Sequence, residues 1–103
     1  EFVSLPVSVF GKGEFYFFNV IVDSMIDASM EEGELGLIRK QSETREGQIV
    51  VALVGNENTL KRFFVDQEHD CIRLHPENKS MKDIIVKTCM IQGVAVKVIK
   101  DLE

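Results

Sequence analysis

The chain has only two histidines, His69 and His75, and both fall late in its 103 residues. A serine that reacts in the first half must therefore use some base other than a neighbouring imidazole. Cysteine is equally sparse. Cys71 and Cys89 are read as free thiols, because two cysteines without a secretory signal seldom form a structural disulfide. His69, Asp70, Cys71 and His75 come nearest to a metal cluster, but their spacing matches none of the usual zinc patterns. They read as polar residues scattered around a strand, and neither metal nor cofactor is expected. Long apolar runs are missing too: "IVVALV" and "FYFFNVIV" fall well short of the roughly 20 residues that cross a bilayer. With no basic-then-apolar leader at the start, a cytoplasmic protein with no membrane contact is expected. Positive charge is also in deficit, with 12 Lys and Arg against 17 Asp and Glu, a net charge of −5. Duplex binding draws on clustered cations that release counterions, so any DNA contact is expected outside this segment.

What is present describes a folded domain. The composition is 45% hydrophobic and 28% charged, and two prolines and seven glycines are too few for a disordered tract. The length suits one domain with a modest core. No self-similarity or low-complexity segment divides it.

The periodicity predicts many short strands. "EFYFFNVIV" is β-branched and aromatic, and "GELGLIRK" follows the turn-prone "EEGE". "GQIVVALVGNENTLKRFFV" holds two apolar runs around Gly55-Asn56-Glu57-Asn58, a β-hairpin signal. "CIRLHPEN" reads as a strand stopped by Pro76, whose missing N–H cannot serve a central ladder. "MIQGVAVKVIK" alternates, with Val94, Val96 and Val98 on one face and Ala95, Lys97 and Ile99 on the other. The one helical stretch is "SMIDASMEE", Ser24 to Glu32. The fold class is therefore mainly β: a single antiparallel β domain with one short helix.

In the hairpin, alternation puts Thr59, Lys61, Phe63 and Val65 on one face and Leu60, Arg62 and Phe64 on the other. One of the two cations must point inward, and apolar neighbours on both sides leave open which. A solvated Lys61 is ordinary. A desolvated one has a depressed pKa, and its neutral amine can take a proton from a serine, the Ser-Lys variant of nucleophile and base. Ser24, in "VDSMIDA", is the serine such an arrangement needs.

"DSMIDA", "EEGELGLIRKQ", "REGQIVVAL", "TLKRFF", "IRLHPENKSMKDIIV" and "IQGVAVKVIK" together resemble the C-terminal domain of LexA-type repressors. These belong to the self-cleaving S24 peptidase family, which also includes UmuD-like proteins and phage repressors and shares its dyad with signal peptidases. The resemblance runs from about Leu5 to Lys100, in order and in spacing. It implies Ser24 as nucleophile, Lys61 as general base, Met25 beside the oxyanion or substrate pocket, and no cofactor. It implies a serine endopeptidase that cuts its own chain, usually at an Ala-Gly bond in a preceding segment, and no Ala-Gly pair occurs in these 103 residues. Residues 1–103 would then be the catalytic and dimerisation domain. The cleavage segment and the operator-DNA-binding domain are expected elsewhere in a longer protein. The implied partners are a second copy, joined through an exposed edge such as "GVAVKVIK", and a RecA filament on single-stranded DNA that promotes the cut during the SOS response to DNA damage. A UmuD-like accessory of translesion synthesis and a dimerisation module that no longer cuts are the alternative readings. A signal peptidase is disfavoured for want of a membrane anchor.

Four positions depart from the family pattern. Val22 stands where glycine is usual two residues before the serine, and Ser29 and Met30 replace glycine and an aliphatic residue. Gly36 replaces a larger apolar residue. Asp23 reads as a helper at a helix N-terminus or a solvated residue rather than one that orients a group at the site, Arg62 as a surface or interface cation, and Met25 equally well as core. "PENKSM", Pro76 to Met81, is a turn-rich loop that the resemblance places near the active site.

Overall fold

The computed structural model describes residues 2–20 and 23–102, without the side chain of Asp23; Val22 lies outside the described residues. Eight strands form one sheet, every pair antiparallel: β1 (Phe2–Val3), β2 (Phe15–Asn19), β3 (Leu35–Arg39), β4 (Ile49–Val54), β5 (Glu57–Asp66), β6 (Cys71–His75), β7 (Ile84–Val86) and β8 (Met90–Ile99). Their order is β1-β2-β3-β8-β4-β5-β6-β7. The mainly β reading holds.

The hairpin forms where its turn signal lies. Val54 pairs with Glu57, leaving Gly55 and Asn56 as a two-residue loop. Gly55 has φ +61° at the first loop position, where a type II′ turn calls for glycine. β4 shows why "IVVALV" is continuously apolar. Successive side chains leave a strand on opposite faces, and here both faces are covered. Val51 belongs to a cluster with Val20, Met25, Met30, Ile38 and Leu60, while Val50 belongs to another with Ala52, Phe63, Leu74 and Val94.

β8 narrows one expectation and corrects another. It lies inside the sheet rather than at its rim: residues from Met90 to Val94 pair with β4, and those from Val94 to Ile99 pair with β3. Each half is thus an edge on one side only. Bulges at Gln92 and Val96 re-aim the strand between its two partners. They also break the strict alternation, so Ala95 and Val98, assigned to opposite faces by periodicity, pack against the same cluster.

The helical expectation for Ser24 to Glu32 is corrected as well. The segment is a 3₁₀ turn over Asp23–Ala28, with Met25 off helical geometry at φ −122° and ψ 25°, and it stops at Ser29, where φ is +63°. Nine residues give too few backbone hydrogen bonds to propagate a helix in isolation, and a left-handed residue ends one. Among the described residues the α-helix is instead one turn, α1 (Val7–Phe10). It and the short strands β1 and β7 carry too little periodic pattern to be read from sequence.

Candidate functional site

Among the described residues, the buried polar or charged side chains are Ser24, 2% exposed, and Lys61, 4% exposed. Both line one cleft of about 260 Å³, with Met25, Thr59 and Leu60 beside them and Phe18, Val20 and Ile84 as apolar walls. Separate elements bring them there. Ser24 sits on the 3₁₀ turn, and Lys61 sits on β5, just short of where β6 begins to pair with that strand at Arg62. From Glu57 to Lys61, β5 is paired on its β4 side alone, and its free edge opens toward the turn.

The turn is anchored from three directions. Met25 is fully buried in the first core cluster. Ser24 Oγ donates to the carbonyl of Leu60 at 3.5 Å, the outer limit of a hydrogen bond, so the hydroxyl is held weakly and can re-orient. Asp27 N–H donates to the Glu77 carbonyl at 2.7 Å, which joins the turn to the Pro76-Glu77-Asn78 loop. That loop is braced by Asn78, whose Oδ1 accepts from the backbone N–H and hydroxyl of Ser80.

Lys61 is on the same face as Thr59, two residues earlier, and its Nζ donates to Thr59 Oγ1. Burial pushes the Lys61 ammonium below its ordinary pKa of 10.5. A buried charge must be paired or relinquished, and a hydroxyl supplies no counter-charge. The cleft therefore eases the loss of the Lys61 proton while Thr59 holds the amine, and the weakly held Ser24 hydroxyl lines the same cleft. A neutral amine and a serine hydroxyl brought together in one cleft are the groups that proton transfer and nucleophilic attack require.

The remaining singled-out residues fall as follows. Met25 is buried in the core and also borders the cleft. Arg62 is half-buried rather than a free surface cation: Nε donates to the Glu77 carboxylate and Nη1 to the Gly47 carbonyl. His69 and His75 do not converge; their Nδ1 atoms face different carboxylates, Asp66 and Asp83. Among the described residues no cluster able to hold a metal is found. Cys71 and Cys89 are free, and burial pushes the Cys89 thiol up. Sequence reasoning missed the bond of Thr59 to Lys61 and, within the loop that the resemblance had placed nearby, the bonds of Glu77. Thr59 was discoverable, since strand alternation already put it on the lysine's face. Glu77 lies too far along the chain for any local pattern to reveal its contact.

The fold is thus a mainly antiparallel β domain that buries a serine and a depressed-pKa lysine along one cleft. The chain belongs to the family described as Peptidase S24-like, which it matches over residues 1–96. It is 42% identical to the LexA repressor of Clostridium kluyveri over 104 residues, which covers 100% of this chain and 50% of that protein. The LexA repressors of Caldicellulosiruptor saccharolyticus and Clostridium tetani are 40% and 44% identical, over 95% and 92% of this chain. The chain spans about half the length of these relatives and corresponds to their C-terminal domain. Among the described residues no helix is long and apolar enough to cross a membrane.

Proposed function

We propose that residues 1–103 are the self-cleaving and dimerising domain of a LexA-like repressor, and that Ser24 is its nucleophile and Lys61 its general base. The observation that carries this is the burial of those two polar side chains, and no others among the described residues, along one cleft. Neutral Lys61 takes the hydroxyl proton as Ser24 Oγ attacks the scissile carbonyl. The tetrahedral intermediate expels the amine, which receives that proton from Lys61, and leaves an acyl-serine ester. Water then attacks the ester, with Lys61 again accepting and returning a proton. Backbone N–H groups of Ser24 and Met25 are the proposed oxyanion donors. The substrate is a small-residue bond in a segment upstream in the same chain, and a basic operator-binding domain beyond it makes up for the acidic charge here. A RecA filament on single-stranded DNA promotes the cut, and the protein acts in the cytoplasm.

The dimer is proposed to form through β8. Residues 95–99 have β3 on one side and an open edge on the other, where the strand parts from β4. Ala95, Val96, Lys97 and Val98 also border a shallow hollow with Ala28 and Met30. Two copies related by a twofold axis can pair such edges antiparallel and satisfy the free backbone groups.

The test is self-cleavage of the full-length protein, followed by mass spectrometry at alkaline pH. Ser24→Ala and Lys61→Ala are each expected to abolish both product fragments while keeping the circular dichroism of the parent. Fragments persisting in both variants would refute the dyad.

A further inference from the structure

A 3₁₀ turn has poor hydrogen-bond geometry and seldom runs long, so the Ser24 turn takes its position from what grips it. The grip on its far end is the hydrogen bond from Asp27 N–H to the Glu77 carbonyl. Glu77 is fixed in turn. Its carboxylate accepts from Arg62 Nε, and Pro76 before it is fully buried. Arg62 is also tied by Nη1 to the Gly47 carbonyl, in the segment leading into β4. It is the residue after Lys61 on β5, so adjacent residues of one strand lead to the two halves of the site. Lys61 enters the cleft directly, and Arg62 reaches the serine's turn through Glu77.

We infer that Arg62 and Glu77 are positioning residues that set the Ser24 turn against the Lys61 amine. This inference rests on the dyad proposed above. Neither residue touches the reacting atoms; their part is to hold the turn in register with β5. Nucleophile and base must be held to within about 0.5 Å of their productive geometry, and a shift of about 1 Å can slow such a step by up to roughly 10²-fold. Glu77→Ala keeps the carbonyl that Asp27 uses but frees the loop that carries it. Glu77→Gln keeps an oxygen that Arg62 Nε can reach, so it separates anchoring from charge.

The experiment is self-cleavage of the full-length protein over a range of alkaline pH, at a temperature where near-ultraviolet circular dichroism shows every variant folded. Glu77→Ala and Arg62→Met are each expected to lower the plateau rate constant by about tenfold. The pH midpoint should stay that of the parent, and Glu77→Gln should recover most of the rate. A merely structural role lowers the melting temperature and leaves the plateau rate of the folded protein unchanged. That outcome overturns the inference, as does a loss of rate that appears wholly as a displaced midpoint. If Ser24→Ala and Lys61→Ala fail to stop cleavage, it is the dyad that falls. If they stop it while Glu77→Ala and Arg62→Met cleave at the parental rate, only the positioning role falls.

Discussion

Lys61 illustrates what single residues do in this fold. Its buried amine titrates below 10.5, which gives stability a definite pH dependence. Above 10.5 the amine is neutral in folded and unfolded chains alike, and its burial carries no charge penalty. Below the depressed folded value, folding must bury the charge, and the penalty is complete. Between the two the unfolded chain binds a proton that the folded one does not, so stability rises with pH. Lys61→Met, which fills the same space without charge, is therefore expected to melt higher than the parent at pH 7. The gain should shrink as pH approaches 10.5, and scanning calorimetry across that range checks it. Ser29 gives a second case. It holds φ +63°, where a Cβ is disfavoured by about 1–2 kcal/mol, and its family relatives are expected to carry glycine there. Its carbonyl accepts from Lys100 Nζ, a bond that any residue preserves. Ser29→Gly is expected to stabilise the domain by up to about 1 kcal/mol, offset in part by the greater freedom of glycine in the unfolded chain, measured by urea titration. Gly36 and Met30 go together: a Cβ on Gly36 would lie 3.5 Å from Met30 Cε, so the long methionine occupies space beside the missing side chain.

At the scale of elements, β8 is the strand that the rest is built around. It changes partner from β4 to β3 near Gly93 and Val94, and the crossing depends on Gly93. A Cβ there would meet Ile38 Cγ2 at 2.5 Å and the Arg39 carbonyl oxygen at 2.6 Å. The second contact is backbone and cannot be relieved by a rotamer. Gly93→Ala is expected to cost about 2 kcal/mol or more, read as a lower urea midpoint with an unchanged slope. The strands themselves were legible, since β2, β4, β5 and β8 follow runs rich in β-branched or aromatic residues, β3 and β6 are short apolar stretches bounded by turn signals, and Gly55 marks the hairpin. The faces of β8 were not. Periodicity assumes an unbroken pleat, and the bulges at Gln92 and Val96 leave no mark in the order of side chains. The Ser24 segment misled for the opposite reason: its apolar spacing suits a helix, but Met25 and Ser29 adopt other backbone conformations because the turn is fitted to β5 and to the Glu77 loop.

Across the whole molecule, one sheet with a buried cluster on each face of β4 leaves a cleft where β5 outruns β6, and the candidate chemistry is gathered there. Lys61 could not be assigned an inward direction from β5 alone, since its strand neighbours are apolar on both faces. What turns it inward is tertiary: the free edge of β5, the turn beside it and Thr59 on its own face. The resemblance named Ser24 and Lys61 and placed the loop 76–81 near them, whereas the bond between Arg62 and Glu77 came into view only once the chain was folded. The central claim, that a neutral Lys61 activates Ser24, is tested most directly by the pH dependence of self-cleavage in the full-length protein beside its Lys61→Arg variant. The parent rate is expected to climb with pH and level off with a midpoint below 10.5, while Lys61→Arg, whose guanidinium keeps its proton, stays silent at every pH. A parent rate that ignores pH, or a Lys61→Arg protein that cuts itself at the parental rate, would contradict it.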